Sequence, residues 1–191
     1  MSAPWLNPIA GPAADLAARL GAALPVLETP RTLLRAPRLE DAGYWCQILV
    51  DDTAGHMGGP FDVDTAFSDF AASVGLWLLR GHGMWTVTDR DGLVLGFVQI
   101  GFEPGDHEPE LGFLFCSHGR GRGLAFEAAL AVRNHALGPR GLPSLVSYIA
   151  PANAPSRRLA ERLGARYEGA AEWDTDPEPA EIWRHAPSED P

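Results

Sequence analysis

Hydrophobic residues recur along this chain with two spacings, one typical of helices and one typical of strands. Stretches with apolar residues three and four positions apart predict helices, whereas short runs rich in β-branched and aromatic residues predict strands. The mixture predicts an α/β (α+β) fold. The predicted helices occupy 13–23, 39–50, a stretch from Phe61 through Val74, 124–137, and a segment that contains Leu159 and Leu163 and ends at Gly164; the predicted strands occupy 83–89, 93–102, 111–116, 144–150, 165–173 and 180–185.

Turn-forming residues separate these segments, but no linker divides the chain into two domains. Asp89-Arg90-Asp91-Gly92 predicts a hairpin between two strands. Either Asp62 or Asp64 is placed to cap the third helix. We therefore expect an N-terminal extension with a short helix over residues 1–28, a single domain over 29–186, and a flexible tail over 187–191.

The segment Ser117-His-Gly-Arg-Gly-Arg-Gly-Leu-Ala-Phe-Glu-Ala128 concentrates glycine and arginine between a predicted strand and a predicted helix. Glycines allow the backbone to direct its N–H groups toward one point, and the positive end of the following helix lies at the same point. Arg120 and Arg122 add formal charge there. The sequence thus predicts a site for a phosphate-bearing ligand between this strand and this helix.

Composition limits the classes of partner. The 25 acidic residues outnumber the 15 basic ones, which gives a formal net charge of −10, whereas nucleic-acid binding requires a basic surface. No apolar run approaches the about 20 residues of a membrane span, and no signal peptide is recognisable. Cys46 and Cys116 form no Cys-x-x-Cys pair, and the six histidines are scattered. We expect a cytoplasmic protein with two buried thiols, no metal, no nucleic-acid partner and no membrane partner.

Spacing within the glycine-rich segment distinguishes between phosphate-binding motifs. A P-loop needs Gly-Lys-Ser/Thr, which is absent, and a dinucleotide fold needs Gly-x-Gly-x-x-Gly near the front of a βαβ unit. Arg120, Gly123 and Ala125 instead form the pattern Arg-x-x-Gly-x-Ala. This pattern resembles the acetyl-CoA pyrophosphate loop of the GNAT superfamily of N-acetyltransferases.

Further segments resemble the same superfamily in the expected order. Thr32-Leu-Leu-Arg-Ala-Pro-Arg-Leu-Glu-Asp41 resembles its first strand and first helix, and residues 144–164 resemble the strand–helix unit that follows the loop. The resemblance covers about residues 29–186 and is closest to the Rim-type ribosomal-protein N-terminal acetyltransferases. It implies a GNAT-like mixed, mostly antiparallel sheet of six or seven strands, flanked by four or five helices, with strands 111–116 and 144–150 splayed apart to hold the cofactor.

The resemblance implies an enzyme that transfers an acetyl group from acetyl-CoA to a primary amine by direct attack in a ternary complex. The pantetheine would lie between the splayed strands against the backbone of 113–115, where one N–H would polarise the thioester carbonyl. The pyrophosphate would lie at the glycine-rich loop. The residues implied in binding acetyl-CoA are Phe113, Leu114, Phe115, Arg120, Gly121, Arg122, Gly123, Leu124, Ala125, Asn153 and Ser156.

Two glutamates are candidates for the base that accepts the proton of the amine. Glu110 begins the strand in which the superfamily often holds a glutamate, and Glu108 lies two residues earlier on the same side of the strand. Glu103 and Asp106 are expected to be loop charges.

The expected proton donor departs from the pattern of the wider superfamily. Many members carry a tyrosine directly after the leucine of the last helix, whereas Ala160 follows Leu159 here. Rim-type relatives also lack the tyrosine, and the serine of their Asn-x-x-Ser segment can serve; the matching residue is Ser156. Ser156 or Asn153 is alternatively the N-cap of the helix. Arg157 and Arg158 are candidates for contact with the 3′-phosphate of CoA.

The acceptor stays open. By resemblance its pocket is built from residues 51–70 and 172–183, and a protein N-terminus, a polyamine, an amino acid or an aminoglycoside-like compound would each suit it. A homodimer is expected because the final hairpin often mediates pairing in such folds. The missing tyrosine leaves one alternative, a catalytically silent acyl-CoA-binding or interaction module. The side chains predicted to frame the acceptor are His56, Met57, His82, Trp85, Trp173, Asp174, Asp176 and Trp183.

Overall fold

The computed structural model describes residues 4–51, 55, 59–173 and 176–186. Over those ranges, five α-helices flank one eight-stranded sheet. The helices are α1 (Pro12–Ala22), α2 (Ala42–Val50), α3 (Val63–Arg80), α4 (Leu124–Leu137) and α5 (Ala154–Arg162). The strands are β1 (Leu27–Glu28), β2 (Leu33–Arg35), β3 (Met84–Thr88), β4 (Val94–Gly101), β5 (Glu110–Phe115), β6 (Val146–Ile149), β7 (Arg166–Trp173) and β8 (Asp176–Arg184).

The sheet has the order β1-β2-β3-β4-β5-β6-β8-β7. Each neighbouring pair is antiparallel except β5 and β6, which run parallel. This topology confirms the predicted mixed, mostly antiparallel sheet. The sheet has one strand more than the upper expectation of seven, because the short β1 pairs with Leu33 and Leu34 of β2. Strand β8 begins earlier than predicted because its ladder with β7 extends to Trp173 and Asp176.

The helices lie close to their predicted positions, with α3 as the main difference. Asp62, and not Asp64, caps α3, since its Oδ1 accepts a hydrogen bond from the Thr65 N–H at 2.7 Å. The helix continues past the predicted segment. Trp77 therefore supplies a buried side chain, whereas Ala71, which was expected on the apolar face, is exposed.

Two apolar layers pack on opposite faces of the sheet. The first lies under α4, whose buried residues are small: Ala128, Ala129, Val132 and Ala136. The second lies under α2 and α3, where Trp45 and Phe70 each meet the ring of Phe97 on β4 edge to face. Strand β4 contributes Val98 to the first layer and its neighbour Phe97 to the second, as alternation along a strand requires. Because apolar side chains pack on both faces of the sheet, the central strands beside the site are held in place.

Two glycines allow β5 and the loop after it to approach β4 closely. A Cβ at Gly96 would lie 2.3 Å from the carbonyl oxygen of Leu114, and a Cβ at Gly119 would lie 2.6 Å from the carbonyl oxygen of Leu95. Neither contact is sterically possible, so only glycine fits at these positions. The end of β5, and with it the glycine-rich loop, is thereby held against the central strand.

Strands β5 and β6 are joined at one register position only. Glu110 of β5 pairs with Val146 of β6, and the Val146 N–H donates to the carbonyl oxygen of Pro109 at 3.0 Å. Beyond this pair the ladder stops and the two strands diverge. The predicted splay between strands 111–116 and 144–150 is therefore present, and it begins at the first residue of β5.

A buried carboxylate ties β2, β3 and the start of α2 together. Asp41 is 3% exposed and accepts four hydrogen bonds: two from the Arg35 guanidinium at 2.7 and 2.9 Å, one from the Arg38 N–H at 2.8 Å and one from the Thr86 hydroxyl at 2.8 Å. Every partner comes from a different segment of the fold or from the turn that leads into the helix. Such a fully paired carboxylate stabilises the fold only while its cation is present.

We expect Asp41→Ala to lower the free energy of unfolding by about 3–5 kcal/mol, since it leaves the Arg35 guanidinium without its charge partner. Urea unfolding would measure the difference. The matched control is Glu40→Ala, which removes the neighbouring exposed carboxylate and is expected to change stability by no more than about 0.5 kcal/mol. Equal losses in the two variants would contradict the role of Asp41.

Candidate functional site

The divergence of β5 and β6 opens into a cavity of about 770 Å³. Its lining comes from the two diverging strands, from α2 and α3 on one side, and from the start of α5 on the other. Five of the predicted site residues, Glu110, Phe113, Leu114, Asn153 and Ser156, line it together. The fold thus brings the candidate catalytic groups and part of the expected pantetheine site into one space.

The glycine-rich loop meets the N-terminus of α4 as predicted. Gly121 and Gly123 have φ angles of +73° and +76°, a region that residues with a Cβ rarely adopt, and Gly123 is the N-cap of α4. The first N–H groups of a helix lack partners within the helix and favour an anion. The side chain of Leu124 is buried in the first apolar layer and Ala125 packs against it. Only the backbone groups of these two residues are available to a ligand.

The two arginines of the loop are held in different ways. Arg120 is exposed, and its Nε donates to the Phe115 carbonyl at 2.8 Å. The carbonyl of Arg122 accepts from Arg31 Nη1 at 3.0 Å, and Arg31 Nε donates to Glu127 of α4 at 2.7 Å. No local pattern in the sequence marks Arg31 and Glu127, because their contact spans 96 positions. The turn between β1 and β2 thus holds the loop from the outside.

A second cavity, of about 670 Å³, lies on this outer side of the loop. Arg31, Arg122 and Arg162 contribute to its lining, together with Gly123 and Phe126. Guanidinium groups next to a helix N-terminus suit the oxygens of phosphate groups. The surroundings of the loop are therefore locally basic, although the net charge of the chain is −10.

Glu110 lies where β5 and β6 separate. Its Oε1 is 3.4 Å from the backbone nitrogen of Tyr148 on β6. The pKa of Glu110 is raised to about 8, chiefly by burial and then by the negative charges of Asp106 and Glu103, while the Tyr148 N–H lowers it. A carboxylate with a pKa in this range is suited to accept a proton near neutral pH.

Glu108, the alternative base, is engaged elsewhere. Both of its carboxylate oxygens accept from the Arg184 guanidinium at 2.7 Å, and Arg184 also bonds Glu168 at 2.7 Å. This bidentate pair is the main cause that lowers the pKa of Glu108 to about 2. Glu108 is a poor base with both oxygens occupied, so Glu110 is the better placed of the two candidates.

The sequence left open whether Asn153 or Ser156 caps α5. Asn153 is the N-cap, since its Oδ1 accepts from the Ser156 N–H at 3.2 Å. The alternative in which Ser156 caps the helix is therefore wrong, and its hydroxyl is not needed for that purpose. Ser156 is half-buried at the cavity wall. Ala160, at the position of the usual tyrosine, is fully buried against Ile149 and Ala165, so this face of α5 is part of the core.

The remaining predicted cofactor contacts divide between the cavity and the core. Phe113 and Leu114 line the cavity, whereas Phe115 is buried in the first apolar layer and its carbonyl is taken by Arg120. Arg157 forms an ion pair with Glu181 of β8 at 3.0 Å, which restricts its reach toward a phosphate. Arg158 is exposed.

Three further acidic residues line the cavity. Asp69 of α3 accepts from Trp45 Nε1 at 3.0 Å, and burial raises the pKa of Asp69. Glu103 and Asp106 also line the cavity, and burial together with the charges of Asp69 and Asp106 raises the pKa of Glu103. Glu103 and Asp106 lie in the loop between β4 and β5, as expected, and both also border the cavity.

Several side chains predicted to frame the acceptor lie away from the cavity. Trp85 is fully buried against Trp77 in the first apolar layer, and its Nε1 donates to the Pro25 carbonyl. His82 is buried and bonded to the Ile100 carbonyl at 2.9 Å. Trp183 is buried against α5, with its Nε1 bonded to Glu181. The predictions for His56, Met57 and Asp174 lie outside the described residues, and Trp173 and Asp176 are placed only by their backbone pairing.

The described residues contain neither a candidate metal cluster nor a candidate membrane-spanning helix. No cluster of three or more histidine, cysteine, aspartate or glutamate side chains that could ligate a metal is present among them. None of the helices within the same ranges combines the length and apolar character needed to cross a membrane.

Solved acetyltransferase structures share the fold of this chain. An acetyltransferase from Agrobacterium tumefaciens is 32% identical, with a TM-score of 0.80 over 86% of this chain and 95% of that one. A GNAT-family acetyltransferase structure from Bordetella pertussis is 30% identical, with a TM-score of 0.68 over 85% and 99% of the two chains. The RimL ribosomal L7/L12 α-N-protein acetyltransferase in complex with coenzyme A has the same fold, with a TM-score of 0.70 over 87% and 100% at 16% identity.

Among curated proteins, an uncharacterized N-acetyltransferase of Bacillus subtilis, YnaD, is 32% identical over 65 residues, which are 34% of this chain. The matched segments span 38% of YnaD and 54% of a second Bacillus subtilis protein, the uncharacterized YkkB, so neither is matched over two thirds of its length. The model of the GNAT acetyltransferase domain matches residues 31–166, which include β2 through α5 and with them the glycine-rich loop, Glu110 and Ser156. The chain therefore belongs to the GNAT acetyltransferase family.

Proposed function

We propose that this protein transfers the acetyl group of acetyl-CoA to a primary amine by direct attack in a ternary complex. One observation carries the proposal: a single cavity contains the edges of two diverging strands, the start of α5 and a carboxyl group whose pKa lies near 8. Family membership supports acetyl transfer in general, and coenzyme A is bound in the RimL relative. The amine, the mechanism and the site residues are inferred from the geometry.

The two strands would hold the pantetheine as an additional strand. Backbone groups of Phe113 and Leu114 are the proposed partners on β5, and Asn153 borders the same gap. The pyrophosphate would bind at the N-terminus of α4, where Gly121 and Gly123 supply the backbone conformation and Arg122 supplies charge. In this arrangement the thioester reaches the end of the gap at which Glu110 lies.

The proposed chemistry needs few groups. The neutral amine attacks the thioester carbonyl carbon, a C–N bond forms, and Glu110 accepts the proton released from nitrogen, directly or through water. An N–H of β5 stabilises the oxyanion. The C–S bond then breaks, and the Ser156 hydroxyl would hydrogen-bond the departing thiolate. Since thioesters are activated acyl donors, holding the two reactants in place contributes much of the rate.

The charges near the mouth of the cavity support an amine acceptor. Asp69, Glu103 and Asp106 line it together with Glu110, and none of its described lining residues is lysine, arginine or histidine. A negative potential attracts the ammonium form that amines adopt in solution. A carboxylate base next to that potential can then produce the neutral nucleophile.

A second function is favoured by one observation. Ala160 is buried at the position where many family members carry a tyrosine, so the chain lacks the usual proton donor there. This favours a catalytically silent acyl-CoA-binding or interaction module with the same fold. Such a module would bind acetyl-CoA but would release no thiol with a peptide N-terminus, a polyamine or an amino acid as acceptor.

We also propose a cytoplasmic location and a homodimer. The two cysteines are free and buried, as expected of a protein that works in a reducing compartment. The final hairpin, β7 and β8, forms one edge of the sheet, where β7 pairs with β8 alone among the described strands. An edge of this kind is a suitable place for a second copy to pair.

We expect acetyl-CoA at a hundredfold excess over its Kd to raise the Tm by about 5–10 °C, and Gly123→Glu to abolish this shift. The substitution places a side chain at a φ of +76° and a negative charge at the proposed pyrophosphate site. Thermal unfolding with and without acetyl-CoA would measure both effects.

The matched control is Gly141→Glu, which adds the same charge at a φ of +62°, in open space near the other end of α4. This variant should retain the full shift. A wild-type protein without a shift would reject acetyl-CoA as the ligand, and loss of the shift in both variants would reject the loop as its site.

We expect Glu110→Gln to reduce kcat/KM for the amine by about 10²- to 10⁴-fold, the range typical of a lost general base. In the wild type, kcat/KM should rise with pH through about 8, because only the deprotonated carboxylate accepts a proton and its pKa is about 8. The variant should lack this rise. Thiol release from acetyl-CoA, followed from pH 6 to 9.5, would measure both.

Glu108→Gln is the control, because the carboxylate paired with Arg184 is not expected to act as the base. It should retain wild-type kcat/KM within a few fold and keep the same pH midpoint. A Glu110→Gln variant with the wild-type pH profile would assign the midpoint to another group.

A further inference from the structure

The point at which β5 and β6 separate is built from side chains, and none of these has a part in the proposed chemistry apart from Glu110. On the β6 side of the parallel ladder, the Val146 N–H donates to the Pro109 carbonyl at 3.0 Å. In a continued parallel ladder the next bond donated by β6 would run two residues further along both strands, from the Tyr148 N–H to the Leu111 carbonyl. In this structure a side-chain hydrogen bond takes the place of that backbone bond.

Ser147 occupies the acceptor that Tyr148 would use. The Ser147 hydroxyl donates to the Leu111 carbonyl oxygen at 2.7 Å, across the gap between the strands. The Tyr148 nitrogen instead lies 3.4 Å from Oε1 of Glu110. A side-chain hydroxyl thus ends the ladder and leaves the next backbone N–H directed at the candidate base.

His185 fixes the direction of the Ser147 hydroxyl. Its Nε2 lies 3.0 Å from Ser147 Oγ, and the two residues are 2% and 1% exposed. Because the single hydroxyl proton of Ser147 is directed at the Leu111 carbonyl, which can only accept, His185 must donate from Nε2–H. Its Nδ1 is buried without a hydrogen-bond partner, as expected of the unprotonated nitrogen of a neutral imidazole.

The surroundings of His185 keep it neutral. Burial, and then the positive charge of Arg133 on α4, lower its pKa to about 4. The backbone N–H of His185 donates to the Leu145 carbonyl at 2.9 Å, which holds the residue beside the start of β6. The pair Ser147–His185 therefore has one orientation of its hydrogen bonds over the whole neutral pH range.

We propose that the Ser147–His185 pair is a positioning device that ends the β5–β6 ladder after one residue pair, keeps the acetyl-CoA gap open and directs the Tyr148 N–H at Glu110. Its link to acetyl-CoA rests on the proposed function, but its effect on the strands does not. Neither residue takes a proton from the amine. Both act through the backbone of β5 and β6.

Ser147→Ala tests the device without any substrate. Removing the hydroxyl frees the Leu111 carbonyl for Tyr148 N–H, so the ladder gains one bond. We expect hydrogen exchange of the Tyr148 amide, followed by NMR in protein labelled with ¹⁵N-tyrosine, to slow at least 10-fold. The midpoint of the Glu110 carboxyl titration should move upward, because a hydrogen bond that favours the charged form is lost. The charged groups that face Glu110 from the preceding loop, Glu103 and Asp106, are unchanged in this variant.

Thr88→Val is the matched control. Thr88 is 1% exposed, and its hydroxyl bonds the Leu33 carbonyl on the neighbouring strand at 3.4 Å, away from the cavity. It should lose stability without altering the Tyr148 exchange rate or the Glu110 midpoint. A Ser147→Ala variant that behaves like Thr88→Val would overturn the proposal, because a merely structural hydroxyl predicts that outcome.

A second pair of variants serves if Ser147→Ala does not fold. His185→Gln retains an N–H near the position of Nε2 and should keep the wild-type exchange rate and midpoint, whereas His185→Phe should shift both in the direction expected for Ser147→Ala. Equal behaviour of these two variants would overturn the role of His185.

In calorimetric titration with acetyl-CoA, His185→Phe should raise the Kd at least fivefold, and His185→Gln should not. If the wild-type protein binds no acetyl-CoA, the proposed function fails, but the exchange measurement still decides whether the pair ends the ladder.

Discussion

The single parallel connection in the sheet, from β5 through α4 to β6, determines where the site lies. Parallel neighbours cannot be joined by a tight turn, so a crossover helix must carry the chain from the end of β5 back to the start of β6. The N-terminus of that helix then necessarily follows the end of β5. Because the ladder between the two strands stops after Glu110 and Val146, the gap opens toward the same end. The glycine-rich loop and the cavity are thus two consequences of one connection.

Glu108 and Glu110 are only two residues apart, but their surroundings shift their pKa values in opposite directions. Glu108 pairs with Arg184 and has a pKa of about 2, whereas Glu110 is buried near the negative charges of Asp106 and Glu103 and has a pKa of about 8. A lowered pKa contributes stability above the unfolded value of about 4.5 that is lost as pH falls toward 2. A raised pKa contributes stability below about 4.5 that is lost as pH rises toward 8. The fold therefore gains from the ionised Glu108 at neutral pH and is opposed by ionisation of Glu110.

Local signals account for what the sequence predicted well. Helix α4 was expected over 124–137 and spans Leu124–Leu137, because its glycine N-cap and small apolar residues are all within the segment itself. The mostly antiparallel sheet and the splay followed from a family resemblance carried by neighbouring residues. The contacts between Arg31 and Glu127, Trp45 and Asp69, and Ser147 and His185 join distant segments, and no period or spacing marks them. The same limit explains Trp85, whose aromatic ring suited a binding site but whose strand is buried on both faces.

The absence of a tyrosine after Leu159 changes what the fold must supply. Without that donor, a transferase of this kind depends on holding an activated thioester and a neutral amine at a fixed separation, an effect that a misplacement of about 1 Å can largely remove. Several groups around the gap restrict its geometry. Gly96 and Gly119 hold β5 against β4, Asn153 fixes the start of α5, and Ser147 and His185 set the separation of the strands. The buried Ser147–His185 pair, whose side-chain donors are both assigned, has little freedom to adjust, so we expect the geometry at the start of the gap to be defined before acetyl-CoA enters it.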